Sequence, residues 1–161
     1  MRDSKTIFLN FIRILLVAAL IVFIIVLHVG DKDSKTDIQD MAAAITGVLD
    51  MSSMEEASNL TFKRNYDLNA SDYEGVIYYA PVSAMDAEEV LIIKLADSSQ
   101  SEDVVSAISS WIDARATTFE GYAPEQYAQV CDNLLISKGN YVVMVIHPDK
   151  DKAKEAFNKA Y

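Results

Sequence analysis

Apolar side chains follow one another almost without a break from Ile7 to Val29, IFLNFIRILLVAALIVFIIVLHV. As a helix these 23 positions reach about 34 Å at about 1.5 Å per residue, enough to cross a hydrocarbon core of about 30 Å. Arg2, Lys5 and Arg13 lie at or before the start of the run, whereas Asp31, Asp33 and Asp37 follow its end. The basic flank marks the cytoplasmic side, so the expectation is a single-pass anchor with the rest of the chain outside. A cleaved signal peptide is the rival reading, because the uninterrupted part, Ile14 to Leu27, is only 14 residues long. Against it, the following LHVGDKDS holds no pair of small residues spaced for a peptidase and no cysteine to take a lipid.

After a charged linker at 31–36, Thr36 or Asp37 is a plausible N-cap for an amphipathic helix in which Ile38, Met41, Ile45, Val48 and Leu49 share one face. This helix is expected to end near Met51. The stretch from Ser52 to Gly75 has weak periodicity and reads as loop with at most one helical turn. GVIYYA at 75–80 and VLIIKLA at 90–96 are β-branched and aromatic runs typical of strands. Next, a long helix opens near Ser101, carries Val104, Ile108, Trp111, Ile112, Arg115 and Phe119 on one stripe, and stops at Gly121. Pro124 opens a shorter helix, NLLISKGNYVVMVIH reads as a hairpin turning at Lys138-Gly139, and Asp149 caps a last helix with Ala153, Ala156, Phe157 and Ala160 on its inner face. The order α-β-β-α-(α)-β-β-α predicts a small α+β domain, residues 37–161, whose antiparallel sheet of about four strands is covered on one face by helices.

Charge sharpens the division. Residues 1–30 carry three basic and one acidic side chain, leaving 11 basic and 23 acidic side chains, a net −12, for residues 31–161. Such a surface repels nucleic acid, so no nucleic-acid partner is expected. Cys131 is the only cysteine, which rules out an intramolecular disulfide, and it is expected as a small buried residue on a helix.

Arg115 is the residue most suggestive of function, since a guanidinium in the middle of an apolar stripe needs a carboxylate, a carbonyl or a ligand anion. The acids Asp86, Glu88 and Glu89 just before the central strand supply candidates for an internal ion pair. Tyrosines and Trp111 beside carboxylates would suit a sugar-stacking face, but Tyr78, Tyr79 and Tyr141 stand in strands, where aromatics pack. Nucleophilic catalysis has little support: His147 is the one histidine beyond the apolar run, and no G-x-S-x-G occurs. His147 and Cys131 are isolated, and Lys35 spoils the calcium-loop-like DKDSKTD, so neither metal nor cofactor is expected.

The segments AEEVLIIKLAD, IDAR, FEGYAPEQY, SKGNYVVMVIHPD and FNKAY, read together, resemble an uncharacterised envelope domain of Firmicutes, a domain of unknown function tethered by a transmembrane helix or a lipid. The resemblance runs from Asp86 to Phe157 and falls on Glu89, Lys94, Arg115, Tyr122, Pro124, Gly139 and Tyr141, none of which has an established role in that family. Members often stand beside membrane-bound O-acyltransferases, which implies an accessory role in modifying envelope polymers. The resulting expectation is a non-enzymatic, extracytoplasmic binding or accessory module whose partner is an envelope protein or polymer, with Arg115, Glu89 and Tyr122 as binding residues. A cell-wall glycan hydrolase or esterase subunit using a carboxylate pair is the alternative, and a sensor binding a small anion at Arg115 is a third.

Overall fold

The computed structural model describes residues 12–21 and 32–161. Residues 12–21 are helical (α1), and the remainder of the expected span at 7–29 lies outside the described residues. Among the described residues no helix is long and apolar enough to cross a membrane.

Asp33–Tyr161 fold as one unit. It contains α2 (Ile38–Thr46), β1 (Met54–Glu56), α3 (Asn59–Tyr66), β2 (Gly75–Pro81), β3 (Glu89–Lys94), α4 (Ser101–Phe119), α5 (Pro124–Cys131), β4 (Leu134–Lys138), β5 (Tyr141–Ile146) and α6 (Lys150–Ala160). The strands form a five-stranded sheet in the order β1-β2-β3-β5-β4, with every neighbour antiparallel. The α+β class is as expected, but the sheet has one strand more than the sequence pattern indicated. The extra strand, β1, lies with α3 inside the stretch expected to be loop. Three residues are too few to display a period of two, and α3 buries only Phe62 and Tyr66, one helical turn apart.

The sheet is covered on both faces, not on one. Every residue of β3 and β5 is buried, and side chains alternate between faces along a strand. Leu91, Ile93, Val142, Met144 and Ile146 therefore join α3, α4 and Val130 of α5 in one core. Val90, Ile92, Tyr141, Val143 and Val145 join Met41 and Ile45 of α2 and Phe157 of α6 in a second. An unbroken apolar strand signals this double burial even in an antiparallel sheet, because neither face is left for polar residues.

Several local expectations also change. Helix α2 stops at Thr46 rather than near Met51, leaving Val48 exposed; its N-cap is Asp37, which accepts from the Gln39 amide at 2.8 Å. Gly121, at φ 84°, follows the end of α4 as expected. The hairpin turns at Gly139-Asn140, since Lys138 pairs with Tyr141 and Gly139 holds the positive φ of 50°. Asp149 precedes α6 but makes no side-chain cap; its carboxylate pairs with Lys152 at 2.9 Å. Cys131 is exposed, since α5 turns Val130 inward instead.

The charged segment expected as a linker belongs to the fold from Asp33 onward. Ser34 is buried; its amide donates to Asn140 Oδ1 at 2.8 Å, and Asn140 Nδ2 donates back to the Ser34 carbonyl at 3.1 Å. Ser34 Oγ donates to the Tyr161 carbonyl (3.0 Å), Thr36 Oγ1 to that of Ala160 (2.5 Å), and the Tyr141 hydroxyl to that of Thr36 (2.8 Å). The side-chain amide at the hairpin turn thus supplies the pairing that a strand neighbour otherwise gives.

Candidate functional site

Glu89 opens β3, and register decides where it points. Tyr78 stands opposite Leu91, so its side chain shares the face of Leu91 and, two residues back, of Glu89. Helices α3 and α4 cover this face. Trp111 and Arg115, four residues apart on α4, present neighbouring side chains to it, and Tyr66 closes α3 above it.

The carboxylate is fully buried and ringed by donors. The Tyr78 hydroxyl donates to Oε1 at 2.5 Å and the Tyr66 hydroxyl at 2.7 Å. Trp111 Nε1 lies 2.9 Å from Oε1 and 3.1 Å from Oε2. Asn65 Nδ2 donates in turn to the Tyr78 hydroxyl at 2.8 Å. The rings support one another, Tyr66 meeting Tyr78 edge to face at 5.5 Å between centroids and Trp111 at 5.6 Å. Burial raises the Glu89 pKa against the opposing pull of the Tyr78, Tyr66 and Trp111 hydrogen bonds and the Arg115 charge. Burial also lifts both phenols, with the neighbouring carboxylate adding to the shift, so each remains a hydrogen-bond donor at neutral pH.

Arg115 meets this carboxylate only at a distance. Its Nε stands 3.9 Å from Glu89 Oε2, beyond hydrogen-bond reach. That Nε is buried and has no hydrogen-bond partner among the described residues. One terminal nitrogen donates to the backbone carbonyl of Asp86 at 2.7 Å, and the guanidinium lies 4.8 Å from the centre of the Phe119 ring. Of the three acids that the sequence offered as partners, Glu89 provides the charge and Asp86 a carbonyl. Glu88 instead accepts from Ser53 Oγ and, at 3.4 Å, from Gln129.

Above the carboxylate the surface opens into a cavity of about 390 Å³ between β1, the end of β2, α3 and α4. Tyr78, Trp111 and Arg115 line it together with Asn65, Arg64 and Glu55. A second cavity of about 470 Å³ shares Arg64, Asn65 and Trp111 and continues along α4 past Ser106 and Ser110. The arrangement offers hydrogen-bond donors and an aromatic surface, while the one buried carboxylate is enclosed by its own chain.

Two of the three expected binding residues, Arg115 and Glu89, therefore come together, and Tyr122 does not join them. Tyr122 follows Gly121, is 55% exposed, and has its ring against Phe119 at 6.1 Å between centroids. Sequence reasoning missed Tyr66, Tyr78 and Trp111 as partners of Glu89. Their signal was an acid heading an otherwise apolar strand, which must be met by donors wherever it is buried. Among the described residues no group of three His, Cys, Asp or Glu side chains is placed to hold a metal ion.

No curated protein and no solved structure matches the chain. A family model, that of the domain of unknown function DUF4358, matches residues 48–147. This match begins well before Asp86, where the resemblance in sequence started, and takes in β1, α3 and β2. Because it spans more than half of the chain and holds Tyr66, Tyr78, Glu89, Trp111 and Arg115, the protein belongs to the DUF4358 family.

Proposed function

We propose that this protein is a membrane-tethered, extracytoplasmic module of the bacterial cell envelope, of the kind found in Firmicutes, that binds an envelope polymer or protein rather than transforming it. In this reading residues 7–29 span the membrane with the N-terminus inside, and Asp33–Tyr161 carry the binding surface outside. The observation that carries a binding role is the enclosure of Glu89. A general acid or nucleophile must reach its substrate, whereas this carboxylate is spent on orienting Tyr66, Tyr78, Trp111 and Arg115, three of which line the cavity. What lines the cavity is the Arg64 and Arg115 side chains, Asn65 and part of the indole, a surface suited to recognising a polar chain. The resemblance to domains that neighbour membrane-bound O-acyltransferases makes polymer acylation the favoured setting.

The test uses the full-length chain in its native membrane. Protease added to spheroplasts is expected to remove the domain while the interior stays protected, and solubilised protein is expected to retain envelope polymer on a column. A soluble mature form beginning near Asp31 would overturn the tether. Turnover of acetylated or plain glycan by the purified protein, abolished by a carboxylate substitution in the cavity, would overturn the binding role in favour of a hydrolase or esterase.

A further inference from the structure

Residues 31–161 contain only two arginines, Arg64 and Arg115, and both line the same cavity. In a region with 23 acidic side chains, neither guanidinium is hydrogen-bonded to a carboxylate among the described residues. Arg64 Nε donates to its neighbour Asn65 at a long 3.5 Å. Arg115 donates to the Asp86 carbonyl, and the nearest carboxylate oxygen among the described residues is 3.9 Å away. The Glu89 oxygens are already taken by two phenols and an indole, so the guanidinium keeps unused donors beside the cavity.

We propose that this cavity is an oxyanion site, in which Arg115 and Arg64 hold a carboxylate or phosphate group carried on a hydroxyl-rich chain. Guanidinium groups match such oxyanions through paired, charge-assisted hydrogen bonds. Phe119 holds the Arg115 plane from one side and Asp86 holds one end of it, so little freedom remains to be lost on binding. Ser58 and Thr61, on the α3 side, add hydroxyls to the lining. Glu55 and Glu56, at the β1 side of the same cavity, repel a second negative charge and accept hydrogen bonds from hydroxyls. Charge of both signs in one cavity thus selects a chain with isolated anionic groups among hydroxyls, and the exposed part of Trp111 offers a plane on which a sugar ring can stack. The proposal rests on the binding role argued above and names the chemistry of its ligand.

Full-length protein in detergent is titrated by calorimetry with sodium glucuronate, glycerol 3-phosphate and, as a neutral control, glucose. Glucuronate or glycerol 3-phosphate is expected to bind at least tenfold more tightly than glucose, and the tighter of the two identifies the source as a uronate or a phosphate. Arg64→Gln, an exposed change that leaves both cores intact, is expected to weaken the preferred anion severalfold. Arg115→Lys, which keeps the charge but loses the planar fork, is expected to weaken it by tenfold or more. Equal affinity for all three compounds, or anion binding unchanged in Arg64→Gln, would overturn the oxyanion site. If the wild type and Arg64→Gln still retain envelope polymer equally while no anion binds, the oxyanion site fails and the binding role stands; if neither polymer nor anion is retained, both fail.

Discussion

At the scale of single residues, Glu89 sets the character of the molecule, because a buried carboxylate is tolerated only while its donors stay in place. Glu89→Gln keeps the shape but turns an amide donor toward Tyr66, Tyr78 or Trp111 and leaves Arg115 without its compensating charge. The expected loss is about 1–3 kcal/mol at neutral pH, read from denaturant unfolding. The sign of the pH dependence follows from the raised Glu89 pKa. A folded state that binds the proton more tightly than the unfolded chain gains stability from this group below the ordinary carboxylate range and loses it as pH rises through the raised value. The stability advantage of wild type over Glu89→Gln is therefore expected to be largest at acid pH and to shrink toward neutrality. An advantage that grew over the same interval would mean that the donors outweigh burial. Asp50, Asp97 and Asp149, held low by hydrogen bonds to Ser52, Ser99 and Lys152, act in the opposite sense but are common to both proteins and cancel in the comparison.

At the scale of elements, the clasp between Ser34 and Asn140 shows how a polar pair does the work of a strand neighbour. Asn140→Ala removes the partner of both the Ser34 amide and its carbonyl, and is expected to cost about 1–3 kcal/mol. Amide hydrogen exchange at Ser34 and Thr36 is expected to accelerate well beyond exchange in β3. Unchanged exchange at Ser34 would show that the Tyr161 and Ala160 contacts suffice alone. This clasp was invisible in the sequence, where DKDSKT has the composition of a linker and nothing local points to an asparagine at a distant turn. Strands β2, β3 and β5 were legible as unbroken β-branched and aromatic runs, and helices α4 and α6 because each is long enough to show its own period. By contrast, β1 takes its conformation from pairing with Tyr79, Ala80 and Pro81, a long-range contact that overrides local propensity. The site was half legible for the same reason. A charge on an apolar stripe announces Arg115 and the need for an acid, but the three donors come from separate elements and meet at Glu89 only when the sheet and helices close.

At the scale of the whole molecule, two apolar cores enclose the sheet from both sides, and the single cysteine is exposed. Residues 33–161 are therefore expected to fold alone as a monomer, with a melting temperature that neither chelator nor reductant changes. A large drop with either reagent would contradict that expectation. The order of strands across the sheet has a consequence for synthesis. Strand β3 lies at the centre, paired on one side with β2, which precedes it, and on the other with β5, at Tyr141–Ile146. A growing chain that has completed β3 and even α4 still holds one unpaired strand edge along the apolar run of Val90, Leu91, Ile92 and Ile93. The Ser34 clasp, at the beginning of the domain, waits for Asn140 and the last turn of α6. The sheet therefore cannot close until Tyr141–Ile146 has been made, so pairing between distant segments, not local structure, sets when this domain folds.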